Sequence, residues 1–109
     1  MSSHFECEVG DIRAGEPCVV AVKGEVDLSS ATDLEAGIRQ ALGGNPASVV
    51  LDLAALTFID SSGLRVLVSV ADDARSQGVG FGLRNVPSHA QRVLDITGLS
   101  GMFDGASDT

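Results

Sequence analysis

The chain has 109 residues, of which 44% are hydrophobic and 20% charged. That suits one domain with one core, and it excludes both whole-chain disorder and a catalytic domain joined to a separate binding domain. Fifteen Asp and Glu against seven Lys and Arg leave a net charge of −8, so the averaged field repels nucleic-acid phosphates and anionic membrane surfaces, and a basic protein is the easier partner.

Met1 to Glu8 carries neither a basic segment nor an apolar stretch, so no signal peptide is read there. The most apolar run, Leu64 to Ala71, is broken by Arg65 and Ser69 and is far too short to cross a bilayer. The chain reads as cytoplasmic, with no membrane partner. Lys23 is the single lysine, and four Phe with no Trp or Tyr supply no stacking platform, so no nucleic-acid partner is expected either. Phe5 to Val9 alternates apolar and polar residues, Gly10 to Gly15 supplies turn chemistry, and Pro17 to Val22 is a more apolar strand, which together predict a hairpin. Cys7 and Cys18 could face each other across it, but in a reducing compartment two free thiols are the expectation.

Ser30 with Asp33 three residues on has capping spacing, and Leu34, Ile38, Ala41 and Leu42 then share one face of a helix that Gly43-Gly44 stops. Ser48 to Leu53 suits a buried strand, and Ala54 to Ile59 reads as an apolar connection to Asp60-Ser61-Ser62-Gly63, where a second helix begins. On that helix Leu64, Leu67, Val68 and Ala71 cluster opposite Arg65, Ser69, Asp72, Asp73 and Ser76, while Val66 and Val70 stand at the margin of a broad apolar arc. Gly78 ends it and Val79 to Arg84 alternates as a strand. Pro87-Ser88, with Gln91 three residues after Ser88, opens a third helix holding Val93, Leu94 and Ile96, with Gly98 as its stop. Leu99, Met102 and Phe103 are available for packing, and the polar residues from Asp104 are expected to fray.

Strands alternating with helices predict an α/β fold: one domain over residues 1–109, its core at 5–103, with an N-terminal antiparallel hairpin and later strands parallel, joined by crossover helices. The crossover rule puts Asp60-Ser61-Ser62-Gly63 at the carboxyl end of a strand, where α/β folds carry function. Two hydroxyls at a helix start also lie where unpaired N–H groups favour negative charge, although simple capping accounts for the same residues.

Catalytic and cofactor chemistries fit poorly. Ser61 and Ser62 lack a Gly-x-Ser-x-Gly frame, and neither His4 nor His89 lies in a matching motif. Gly78-Val79-Gly80-Phe81-Gly82 enters a strand, whereas a dinucleotide fingerprint follows one and opens a helix. Two Cys and two His without close spacing make no metal site, so no catalytic residue, metal or cofactor is implied and the chain is not expected to be an enzyme.

Ser48-Val49-Val50-Leu51-Asp52-Leu53 followed by Phe58-Ile59-Asp60-Ser61-Ser62-Gly63-Leu64, with Lys23-Gly24-Glu25-Val26-Asp27 before and Thr97-Gly98-Leu99 after, resembles the STAS domain family, specifically the bacterial anti-sigma-factor antagonists. The resemblance runs from the second strand to Phe103. It implies a partner switch, in which the antagonist binds an anti-sigma factor that is itself a Ser/Thr kinase, releases a sigma factor, and is inactivated by phosphorylation and reset by a Ser/Thr phosphatase. The family's phosphorylated serine corresponds to Ser61. Asp60, Ser62 and Gly63 match the docking loop, Asp27 and Ser29 a second loop beside it, and Val66 is counted with the same partner-binding set. The alternative is a STAS scaffold or accessory subunit of a signalling or transport system without a phosphorylation switch. In the family a last strand and a C-terminal helix usually follow the Gly98-Leu99 segment, and that helix is expected to be absent here.

Overall fold

The computed structural model describes residues 4–98. Their elements run β1 (Phe5–Val9), β2 (Pro17–Val26), α1 (Ala31–Leu42), β3 (Ser48–Asp52), β4 (Leu56–Ile59), α2 (Ser61–Ser76), β5 (Gly80–Arg84) and α3 (Ser88–Thr97). The α/β fold expected from the sequence is present, with a mixed sheet and, among the described residues, three helices. The expectations for Leu99 to Thr109, including the missing C-terminal helix, lie outside the described residues.

The sheet is ordered β1-β2-β3-β5. β1 pairs antiparallel with β2, and β3 pairs parallel with both β2 and β5. Alternation sets the faces. Cys18, Val20 and Val22 of β2, Val49 and Leu51 of β3 and Phe81 of β5 are buried in register with one another and form the floor of the core. Leu34 and Ile38 of α1 and Leu67 and Val70 of α2 close it from above. On their outer sides these two helices share Arg39, whose guanidinium meets Asp73 at 2.6 Å and Glu35 at 2.8 Å.

The segment Ala54 to Ile59 was expected to be a connection, but it contains a strand. β4 runs parallel to the second half of β2, with Gly24 opposite Leu56 and Val26 opposite Ile59. β2 is ten residues long, so its first half pairs β3 and its second half β4, and the chain between them is kinked by a turn in which Asp52 Oδ1 accepts the Ala54 N–H at 3.0 Å. This second half of β2 also fixes Gly24 at a φ of 90°, where a Cβ would run into the backbone oxygen of His4.

Cys7 stands opposite Val22 and Val9 opposite Val20. Cys18 therefore lies four residues before the partner of Cys7 on β2, about 13 Å away at the rise of a strand, well beyond disulfide reach. Both are free thiols, and burial, helped by Asp33 for Cys7 and Asp11 for Cys18, raises both above the usual thiol range. Thiol titration of the native protein at pH 8 is expected to be slow and that of unfolded protein fast, with two thiols found. Fewer than two in protein unfolded without reductant would contradict this.

Candidate functional site

α2 starts at the carboxyl end of β4, as the crossover rule predicts. Its N-cap is Asp60, in extended conformation, and one carboxylate oxygen accepts the N–H groups of Ser62 at 2.8 Å and Gly63 at 3.4 Å. That consumes two of the four orphan N–H groups at the helix start. Ser61 is the first helical residue and is exposed, and its hydroxyl has no hydrogen-bond partner among the described residues. Ser62 is half-buried and contributes its N–H to the cap. Asp60→Ala is expected to cost about 1 kcal/mol by loss of this cap, read as a lowered melting temperature. An unchanged melt would show that water replaces the carboxylate without penalty.

Gly63 is buried beneath this turn. An added Cβ would stand 2.6 Å from Val26 Cγ1 and 2.7 Å from Ile59 Cγ1, so glycine lets α2 approach the ends of β2 and β4. Val66 is only 9% exposed and belongs to the core. The buried stripe of α2 is Gly63, Val66, Leu67, Val70, Ala71 and Ala74, with Leu64 and Val68 at its half-buried margin. Contact between Gly63 and the strand ends rotates the helix this way, so the broad core face is correct and Val66 offers no surface to a partner.

The second loop is adjacent through the backbone, since the Asp60 N–H donates to the Val26 carbonyl at 3.1 Å. After Val26 the chain turns sharply. Asp27 Oδ1 accepts the Ser29 hydroxyl at 2.7 Å, the Ser29 N–H at 2.9 Å and the Ser30 N–H at 3.3 Å. The Ser30 hydroxyl donates to the Glu25 carbonyl at 2.8 Å and accepts the Asp27 N–H at 3.0 Å.

This differs from the expected capping box. Ser30 is the N-cap of α1 as the spacing predicts, but its backbone already has helical angles (φ −108°, ψ −8°), it makes no side-chain cap bond and it is 4% exposed. The Asp27 carboxylate, three residues upstream, instead accepts the N–H groups of Ser29 and Ser30 in the turn that leads into α1. At α3 the N-cap is Pro87 and Ser88 is the first helical residue, again with no side-chain cap bond. Leu28, at the apex of the turn, is 79% exposed. Sequence reading passed over it because a lone Leu among polar residues has no period.

The Ser29 hydroxyl first, then the Ser29 and Ser30 N–H groups, hold the Asp27 carboxyl below its ordinary range. A depressed folded-state pKa means that stabilisation of the turn is present above the ordinary carboxylate range and is lost as pH falls through the lowered value. The amide shifts of Ser29 and Ser30 are expected to titrate together with a midpoint below about 3.9. A midpoint at or above that value would remove the carboxylate from the turn.

Asp60, Ser61, Ser62, Asp27 and Ser29 are therefore brought to one end of the sheet, with Gly63 and Val66 underneath as packing. Among the described residues no helix is long and apolar enough to cross a membrane.

Comparison with known proteins gives a consistent picture. A family model described as Mlab, STAS domain, matches residues 10–104. The anti-sigma-F factor antagonist RsfB of Mycobacterium tuberculosis (strain H37Rv) is 34% identical over 85 residues, covering 78% of this chain and 69% of the relative. The anti-sigma-B factor antagonist of Bacillus subtilis (strain 168) is 30% identical over 95 residues, covering 86% of each. The crystal structure of an anti-sigma factor antagonist from Mycobacterium paratuberculosis superposes with a TM-score of 0.76 at 29% identity, covering 93% of this chain and 84% of that one.

Proposed function

The chain belongs to the STAS domain family, and on that premise we propose that it is an anti-sigma-factor antagonist, controlled by phosphorylation of Ser61. The three relatives described above are anti-sigma-factor antagonists. Unphosphorylated, the chain binds an anti-sigma factor with Ser/Thr kinase activity and so frees a sigma factor. The kinase transfers the γ-phosphoryl group of ATP to Ser61 Oγ, the serine proton leaves, and ADP departs. A Ser/Thr phosphatase hydrolyses the phosphoserine and returns the chain to its binding form.

The observation that carries this reading is the Ser61 hydroxyl itself, exposed and without a hydrogen-bond partner among the described residues, on the first turn of a helix whose cap is supplied by its neighbour Asp60. Two consequences follow from that position. A phosphoryl acceptor must be reachable without unfolding, and Ser61 is. A group of charge about −1.5 to −2 at a helix N-terminus lies at the favourable end of the dipole, so the modified domain keeps its fold and the effect falls on the partner. Ser62 is the poorer acceptor because it is half-buried.

Incubation with the cognate anti-sigma factor and ATP, followed by mass mapping, is the test. Phosphate is expected on Ser61, including in Ser62→Ala, and absent in Ser61→Ala. Phosphate on Ser62, or none, would overturn the assignment. Stable binding without phosphoryl transfer would favour the scaffold reading instead.

A further inference from the structure

We propose that Leu28 is the apolar anchor of the docking surface, inserted into an apolar pocket with a basic rim on the anti-sigma factor, and that Asp27 positions it; this rests on the antagonist reading above. Three observations point to it. Leu28 is 79% exposed, yet it is not on a loose loop, because the residues on either side are tied by the Asp27 carboxylate and the Ser30 hydroxyl to one another and to the Glu25 carbonyl. An exposed leucine on a rigid turn has its ordering already accomplished before binding, and such preorganised apolar groups dominate interfaces.

The turn is also continuous with the Ser61 surface. The Val26 carbonyl holds the Asp60 N–H, and Val26 pairs with Ile59, so the residues that follow each strand leave the sheet side by side. Charge then selects the partner. Glu25 near the end of β2, Asp27 in the turn, Asp33 in the first turn of α1 and Asp60 at the N-cap of α2 are all acidic, against Arg65 one turn into α2, so a pocket receiving Leu28 is complementary when rimmed by Arg or Lys.

Asp27 thereby takes a different part from the one expected of it. Its Oδ1 is engaged by Ser29 and Ser30, and the residue acts through the shape of the turn. Ser29 likewise spends its hydroxyl on Asp27.

The experiment compares Leu28→Ser with Ile96→Ser in binding to the cognate anti-sigma factor. Ile96 is 78% exposed and lies on α3, which packs against β4, so the two substitutions are matched in chemistry and exposure. Leu28→Ser is expected to bind at least about tenfold more weakly, as for truncation of a central anchor, with an unchanged melting temperature. Ile96→Ser is expected to bind as the wild type does. Retention of wild-type affinity by Leu28→Ser would overturn the proposal, and so would equal losses in both variants. Failure of the wild-type chain to bind any anti-sigma factor would instead strike the antagonist reading.

Discussion

Ser61→Asp is expected to bind the cognate anti-sigma factor at least about thirtyfold more weakly than Ser61→Ala, close to 2 kcal/mol, while both variants melt within about 1 kcal/mol of the wild type. Alanine removes an exposed hydroxyl that has no partner among the described residues, so little folding energy is lost and the docked face keeps its shape. Aspartate adds a negative charge at the helix start, where the dipole stabilises it by about 0.3–1 kcal/mol. The domain should therefore become no less stable. The added charge stands beside Asp60 in a chain already at −8, and a partner surface that accommodates a neutral serine now has to desolvate a carboxylate, which costs more than the dipole returns. Phosphate, larger and more highly charged, should exceed the aspartate effect. Calorimetric titration of both variants, with thermal melts as the control for folding, decides it. Equal affinities would separate Ser61 from the docking face.

Much of this geometry was legible in the residues. Phe5–Val9 alternates cleanly because one pleat, Phe5, Cys7 and Val9, packs against the core while Glu6 and Glu8 face out. The apolar stripe of α1 was recoverable because all of Leu34, Ile38, Ala41 and Leu42 are buried. β4 was not, since Leu56 is buried while Thr57 and Phe58 are exposed, and four residues beside a bulge in the register of β2 cannot establish a period. The two serine caps failed for a different reason. Spacing identifies a hydroxyl near a helix start but not the backbone conformation of the residue that bears it, and Ser30 is already helical. The carboxylate that orders this entry to α1, Asp27, belongs to a turn whose hydrogen bonds to Ser29 and Ser30 are set by where β2 ends.

The motif glycine illustrates the same limit, because its chemistry suggests an interface and its surroundings make it a packing residue. Gly63→Val is expected to destabilise the fold by about 3 kcal/mol, lowering the melting temperature by roughly 10–20 °C for a domain of this size. The Cβ alone would meet Val26 Cγ1 at 2.6 Å, Ile59 Cγ1 at 2.7 Å and Ile59 Cδ1 at 3.1 Å. Both side chains are β-branched and stiff at χ1; Ile59 is half-buried and has solvent on one side, but Val26 is fully buried and cannot yield without moving the strand. Gly63→Ala is the milder case, since about 1 kcal/mol of helix propensity is gained against overpacking of about 1–3 kcal/mol, leaving a net loss smaller than that of valine. The two methyl groups of valine add contacts on both sides and remove that compensation.

The damage should also be directional. Val26 carries on its carbonyl the Asp60 N–H and is followed at once by the Asp27 turn, so pushing α2 away from Val26 separates Ser61 from Leu28. Amide shifts of Leu28 and Ser61 are expected to move in Gly63→Ala, while those of α3 stay in place. A Gly63→Val protein within about 0.5 kcal/mol of the wild type would show that the close approach of helix and strand ends is not what this glycine provides.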